Sequence, residues 1–297
     1  MTNSALIFIK PHAVTPRAVE FIETFLTRRG VRLLERGELS SEEIDKRGII
    51  DRHYFAIAKA SVELKPDQIS VSTDGRQAFH AKFGLSYDQA LDAGKLVNSV
   101  EAMERLGKID GAELSRFWSA GEQVKLGPGL YAGSLKQGEL LVINGFYPAM
   151  KERFTAPGLT IRWYDTEFDP DTCSWRAFRQ ELIGATKPDQ AEAGSLRAEL
   201  LAKYRELGMQ APPSMTNNGV HASAGPIEGL RERMVWLGVD PASSPFGREL
   251  LSRGISSSDL ERLLENAPAE FGGSQGPVFD ITEDTDARDL LGRVSLT

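Results

Sequence analysis

Apolar residues run without interruption through ALIFI, residues 5 to 9. A continuous run of this length with β-branched members predicts a strand covered on both faces, ended by the turn-forming Lys10, Pro11 and His12. From Pro16 to Arg29 the spacing becomes helical: Val19, Ile22 and Leu26 share a stripe, Phe21 and Phe25 flank it, and Gly30 supplies a C-terminal stop. Val31 to Leu39 predicts a second strand. Ser40 and Glu43 then have the spacing of a capping box, which opens a helix carrying Tyr54.

Between Leu64 and Gly129 the pattern breaks into short helical pieces, RQAFHAKFG, SYDQALDAGKL and SVEAMERLG, separated by Gly, Pro and Ser turns. This stretch reads as an inserted helical subdomain. Strand signals return in ELLVIN, residues 139 to 144, and in LTIRWYDTEF, residues 159 to 168, where β-branched and aromatic residues are enriched. Both are expected to resume the core sheet. Helical spacing recurs in SWRAFRQELIG, SLRAELLAKYRELG and GPIEGLRERMVWLG, the last with Pro226 in its first turn. Beyond Gly238, FGRELLSRG and SSDLERLLENA predict two short amphipathic helices, and a Gly-rich turn precedes GPVFDIT; this tail reads as an appendage. No repeat at solenoid periods and no low-complexity tract is present, so array architectures are not expected. The alternation predicts an α/β or α+β sandwich.

Composition narrows the chemistry. With 41% hydrophobic and 26% charged residues over 297 positions, the chain has the balance of a soluble globular protein and enough length to bury a core without staples. Its single cysteine, Cys173, excludes an intramolecular disulfide and reads as a small buried hydrophobe. The start, MTNSALIFIKPHAV, reaches Lys10 and Pro11 before a signal-peptide core can form, which predicts a cytoplasmic protein. No apolar window is long enough for a bilayer, so no membrane span is expected. A net charge of -7 argues against nucleic acid or anionic lipid as a partner, so any phosphate binding has to be local.

Four segments then stand in a fixed order: FIKPHAV, NGFYPAMKERF, LIGATKPDQAEAGSLR and NNGVHASAGPIEGLRERMVWLG. Together they resemble the nucleoside diphosphate kinase family. That family reads IKP on its first strand, then a paired-aromatic segment, a G-x-T-x-P segment leading to an arginine, and an N-x-x-H-x-S segment. The resemblance covers roughly residues 4 to 61 and 139 to 237. It implies an α+β fold, a ferredoxin-like βαββαβ antiparallel-sheet sandwich with an inserted helical subdomain. The implied domain spans residues 1–240, interrupted at about 64–135, with 241–297 as a C-terminal extension.

The resemblance also implies an enzyme that moves the γ-phosphoryl of ATP or another nucleoside triphosphate to a nucleoside diphosphate. It would work by a ping-pong route through phospho-His221, with Mg²⁺ bound through the nucleotide phosphates. Glu232, eleven residues after His221, would orient the ring together with Ser223. Lys10 would contact the sugar hydroxyl and the transferring phosphate, Thr186 and Arg197 the more distal phosphates, and Asn218 the ribose. Phe146 matches the aromatic that stacks on the base, and Tyr54 the tyrosine near the catalytic histidine. A homo-oligomer and modest base discrimination are implied as well.

Chemistry gives an independent reason to weigh this set. Phosphoryl transfer needs a positioned nucleophile with cations or amide donors around the moving group, and neutral imidazole is nucleophilic near pH 7. Taken singly, Lys10 and Arg197 read as solvated charges, Thr186 and Asn218 as turn residues, and Phe146 as core packing. His12 sits beside the matching Lys10 at a position that reads as variable in the family, His53 and His80 read as surface or helix-packing residues, and no metal-ligand cluster emerges from them. Two departures bear on activity. Gln180 stands where the family has an arginine, with Arg179 one place earlier, and HASAG replaces HGSDS, putting Ala222 and Ala224 where the family has a glycine and an acid. They keep open two further readings: a nucleotide-binding regulatory or scaffold protein that has lost turnover, and a histidine phosphocarrier serving a protein acceptor. The insertion is expected to narrow or redirect nucleotide specificity.

Overall fold

The computed structural model describes residues 1–293, and the chain divides into two compact units. One is built from Met1–Ser40 together with the chain from Leu159 onward, the other from Ser41–Gly158.

In the first unit, the apolar run becomes β1 (Asn3–Ile9), followed by α1 (Pro16–Arg28) and β2 (Arg32–Ser40). The chain returns as β3 (Thr160–Phe168) and α2 (Trp175–Ala177), which continues as a π-helical stretch over Phe178–Ile183. Next come α3 (Leu196–Lys203), β4 (Val220–Ala222) and α4 (Pro226–Leu237). The sheet order is β2, β3, β1, β4, and every neighbouring pair is antiparallel. Two βαβ halves interleaved in this order are the ferredoxin-like arrangement that the segment order implied.

β1 lies inside the sheet, which explains its unbroken apolar sequence. Ala5, Ile7 and Ile9 face a core made with Ala18, Ile22 and Leu26 of α1, Trp175, Phe178 and Leu196. Leu6 and Phe8, on the opposite face, are equally buried. Each large side chain taken from water there contributes roughly 1.5–3 kcal/mol. α1 starts as its sequence dictates: Thr15 caps it by accepting from Ala18 N at 3.1 Å, and Pro16 takes the first position, where its missing N–H costs nothing.

α4 covers the other face of β1. It crosses at Gly229, where a Cβ would stand 3.0 Å from Ser4 O and 3.4 Å from the Ser223 side chain, tighter than ordinary contact, so the glycine eases the close approach of the helix. A buried ion pair fixes its rotation: Arg233 Nε and Nη2 reach the two oxygens of Asp165 on β3 at 2.6 and 2.9 Å. The tail is no loose appendage. α5 (Pro245–Ser252) and α6 (Ser257–Leu264) form a core with Ile227 and Leu230 of α4, joined by Phe271, Val278, Leu290 and Leu291.

The second unit differs from its sequence reading in two ways. The helix expected to carry Tyr54 is divided into Ser41–Lys46, Ile49–His53 and Phe55–Ala58, because Gly48 turns left-handed at φ 58° and Tyr54 itself sits at a joint. The ELLVIN segment is a strand, Leu140–Ile143, but it does not resume the core sheet. It pairs in parallel with Leu96–Val97 and antiparallel with Leu130–Leu135, which pairs in turn with Gln123–Gly127. The second unit thus holds a four-stranded sheet of its own, three of its strands within the insertion, as well as its helices. Leu141 and Ile143 pack with Phe79, Tyr87 and Leu130 on one face, while Leu140 and Val142 pack with Leu114 and Trp118 on the other. Both faces being covered is why the run is apolar throughout. Among the described residues no helix is long and apolar enough to cross a membrane.

Candidate active site

β4 is only three residues long, and it carries His221. Pairing with β1 sets Phe8 opposite His221 in register, so both side chains leave the sheet on the same face. The imidazole stacks on Phe8 with ring centroids 4.7 Å apart and planes 19° apart, and Trp236 of α4 packs on Phe8 at 4.5 Å. The aromatic packing fixes the plane of the ring, and a carboxylate from α4 fixes its rotation within that plane.

That carboxylate is Glu232. Its Oε1 is 2.7 Å from His221 Nε2, and its Oε2 accepts the Ser223 hydroxyl at 2.5 Å. Ser223 has one proton to give. The charge-assisted bond to Glu232 takes it, while the hydroxyl oxygen accepts Leu6 N–H at 3.0 Å. Glu232 is 3% exposed, so its charge is held by these donors rather than by water. A carboxylate offers no proton, so the neutral ring carries its hydrogen on Nε2 and its lone pair on Nδ1. The spacing of His221, Ser223 and Glu232 thus closes into one hydrogen-bonded network.

One turn earlier on α4, Glu228 joins the carboxylate cluster. Burial pushes its pKa up to about 8, and Glu232 and Glu283 add to the rise, against Arg179 and the Ala224 backbone, which oppose it. The sequence reading missed this residue. Its signal was the four-residue spacing to Glu232, which puts both side chains on one face of a helix.

The polar residues expected around a nucleotide gather at the stem of β4. Lys10 extends the sheet with its N–H on Gly219 O at 2.9 Å, and its Nζ is 3.4 Å from Thr216 O. His12, two residues after Lys10, accepts Gly219 N–H at 3.1 Å. Asn218 is 2% exposed and donates from Nδ2 to Thr186 O at 3.1 Å. Arg197 on α3 braces the same stem: one Nη donates to Gly184 O at 2.7 Å and the other to Val220 O at 3.1 Å. Burial lowers its pKa to about 10, and nearby Arg179 adds to this effect, yet it stays cationic at neutral pH. Among the described residues, Asn218 Oδ1 and Arg197 Nε are buried and make no hydrogen bond. Buried polar atoms left unpaired cost roughly 1–3 kcal/mol each, a cost that sites for polar ligands commonly carry.

Beside this stem lies a cavity of about 330 Å³ lined by Arg179, Gln180, Gly184, Thr186, Glu192 and Arg197. Arg179 is held by Glu283 at 2.5 Å and Asp284 at 3.1 Å, and Gln180 donates to the same Asp284 at 3.0 Å. Nothing in the sequence signalled this contact, because the partners lie more than a hundred positions apart and share no periodic pattern. Tyr54 and Phe146 belong to the second unit. Tyr54 lies edge-on to His53 with centroids 4.4 Å apart, and Phe146 packs against Trp118 and Tyr131 at 5.3 and 6.0 Å.

No protein-family model matches the chain, and no curated protein matches it. Among solved structures it is similar to nucleoside diphosphate kinases. That of Encephalitozoon cuniculi is 15% identical with a TM-score of 0.39, over 82% of this chain and 92% of that one. The enzyme of Pyrobaculum aerophilum is 16% identical with a TM-score of 0.36, over 80% and 96%. A transition-state mimic of the Borrelia burgdorferi enzyme with vanadate and ADP is 14% identical with a TM-score of 0.37, over 79% and 86%.

Proposed function

We propose that this chain is a phosphotransferase of the nucleoside diphosphate kinase type, with His221 as the residue that carries the phosphoryl group. The observation that carries the reading is the His221–Glu232–Ser223 network, which holds one ring nitrogen on a buried carboxylate and puts the lone pair on the other. In the first half-reaction Nδ1 attacks the γ-phosphorus of a nucleoside triphosphate. The P–N bond forms as the bond to the β,γ-bridging oxygen breaks, and the diphosphate leaves. Positive charge that develops on the ring lies against Glu232, so the transition state is favoured over the neutral ground state. In the second half-reaction a terminal oxygen of another nucleoside diphosphate attacks the same phosphorus, the P–N bond breaks, and the neutral imidazole is restored.

Lys10, Thr186, Arg197 and Asn218 are the groups proposed to hold the nucleotide, and the unpaired Asn218 Oδ1 and Arg197 Nε support that role. Mg²⁺ would come bound to the nucleotide phosphates, where it screens their charge. Ala224 offers it no carboxylate, and Asp284, whose N–H bonds Ala224 O at 3.2 Å, has its own carboxylate on Arg179 and Gln180.

A second reading, nucleotide binding without turnover, is favoured by that same engagement of Arg179. Incubation with γ-labelled ATP separates the two. The phosphotransferase acquires an acid-labile label on His221, His221→Ala does not, and nucleoside diphosphates chase the label off. Folded wild-type protein that takes up no label overturns the first reading. Label that stays until a protein acceptor is supplied would instead mark a phosphocarrier.

A further inference from the structure

The turn at Glu283 and Asp284 places two carboxylates on one guanidinium. Glu283 meets one Nη of Arg179 at 2.5 Å, Asp284 meets the other at 3.1 Å, and the second oxygen of Asp284 takes the Gln180 amide at 3.0 Å. Both arms of the arginine fork are therefore occupied, and Arg179 and Gln180 also line the cavity that holds Thr186 and Arg197. The turn is held in place on its far side. Asp286 accepts Asn3 Nδ2 and Trp175 N, both at 2.7 Å, and Ala287 N donates to Asn3 Oδ1 at 2.9 Å. Asp284 N donates to Ala224 O at 3.2 Å, close in sequence to His221.

A carboxylate and a phosphate offer arginine the same edge of two acceptor oxygens, so one fork cannot serve both fully at once. We propose that the Glu283–Asp284 turn is an internal anion that occupies Arg179 until a polyphosphate ligand displaces it. This rests on the nucleotide-site reading above. Ligand binding is then an exchange of anions at Arg179, and the turn lets go of Arg179 and Gln180 while the Asp286 latch keeps the following helix docked.

The test uses the full chain and the double variant Glu283→Gln, Asp284→Asn. Both replacements keep shape and remove charge, and asparagine is well suited to the left-handed backbone at position 284, φ 58°. Binding of inorganic tripolyphosphate and of ADP, each without added metal, is measured by calorimetry. The exchange predicts that the variant binds both roughly fivefold tighter or more, since two partly exposed ion pairs no longer compete. Equal or weaker binding by the variant overturns it. A second measurement needs no variant: amide exchange across residues 282–285 of the wild type should speed up when tripolyphosphate is added, and unchanged protection also overturns the proposal. The two readings fail separately. Tighter binding without label on His221 sinks phosphotransfer alone, whereas label with equal affinities sinks the exchange alone.

Discussion

His221 Nε2 lies 2.7 Å from Glu232 Oε1, and the other oxygen of that buried carboxylate takes the Ser223 hydroxyl. The glutamate therefore sets which ring nitrogen bears hydrogen and faces the positive charge that the proposed phosphorylation would place on the ring. Glu232→Gln keeps the size and removes the charge, and an amide can present its NH₂ to either partner. Labelling of His221 by γ-labelled ATP is expected to slow roughly 10- to 100-fold in this variant. Ser223→Ala should slow it less, and it should destabilise the fold by about 1–3 kcal/mol because Leu6 N–H loses its acceptor. Stopped-time labelling with urea unfolding on the same samples separates the two effects.

Glu228 makes stability depend on pH. Its folded pKa is raised from 4.5 to about 8, chiefly by burial, so between those values the native state binds more protons than the unfolded chain. Stability should fall as pH rises from about 4.5 towards 8 and then level off. Glu228→Gln should lack this slope, and the difference between the two proteins should grow by roughly 1–2 kcal/mol across the window, a figure discounted for partial solvent screening. Urea midpoints at pH 5 and pH 8 check it. A wild-type protein that gains stability relative to the variant over that range would contradict the assignment.

Gly229 sits in the interior of α4, where alanine normally raises helix stability by about 1 kcal/mol. Here a Cβ would meet Ser4 O at 3.0 Å and the Ser223 side chain at 3.4 Å. The contact has to give by a few tenths of an ångström, and because β1 is paired on both sides in the sheet, α4 is the part expected to yield, carrying Glu232 with it. Gly229→Ala is expected to gain no stability and to label several-fold more slowly, whereas alanine at the more open Gly292 should leave labelling unchanged. Thermal melts and labelling rates on both variants test this.

Much of the first unit could be read from its residues. ALIFI is apolar because β1 is covered on both faces, α1 follows its Ile22 and Leu26 stripe, and the interval from His221 to Glu232 spans one strand end and two helical turns. The ELLVIN run was equally readable as a strand. A run buried on both faces shows that partners exist without naming them, and its partners here, Leu96–Val97 and Leu130–Leu135, are short or Gly-containing strands whose pattern is weak. Asp284 on Arg179 was unreadable for another reason. Pairing between a loop carboxylate and a distant helix leaves no period in the sequence, and only the folded chain brings the two together.

The Arg233–Asp165 pair joins α4 to β3 where neither residue meets much water, at 8% and 7% exposure. Removing only the cation, as in Arg233→Met, leaves Asp165 charged and buried, which should cost about 3–5 kcal/mol. Removing both charges, with Asp165→Leu added, should recover most of that loss, because an apolar pair of similar volume needs no compensating partner. Labelling should behave differently from stability. The bidentate geometry sets the rotation of α4 and hence the aim of Glu232, and an apolar pair packs without enforcing that angle. The double variant is therefore expected to melt near the wild type yet label His221 more slowly. If melting and labelling recover together, the ion pair serves only to hold the helix down, and the aim of Glu232 is set by Gly229 and Trp236 instead.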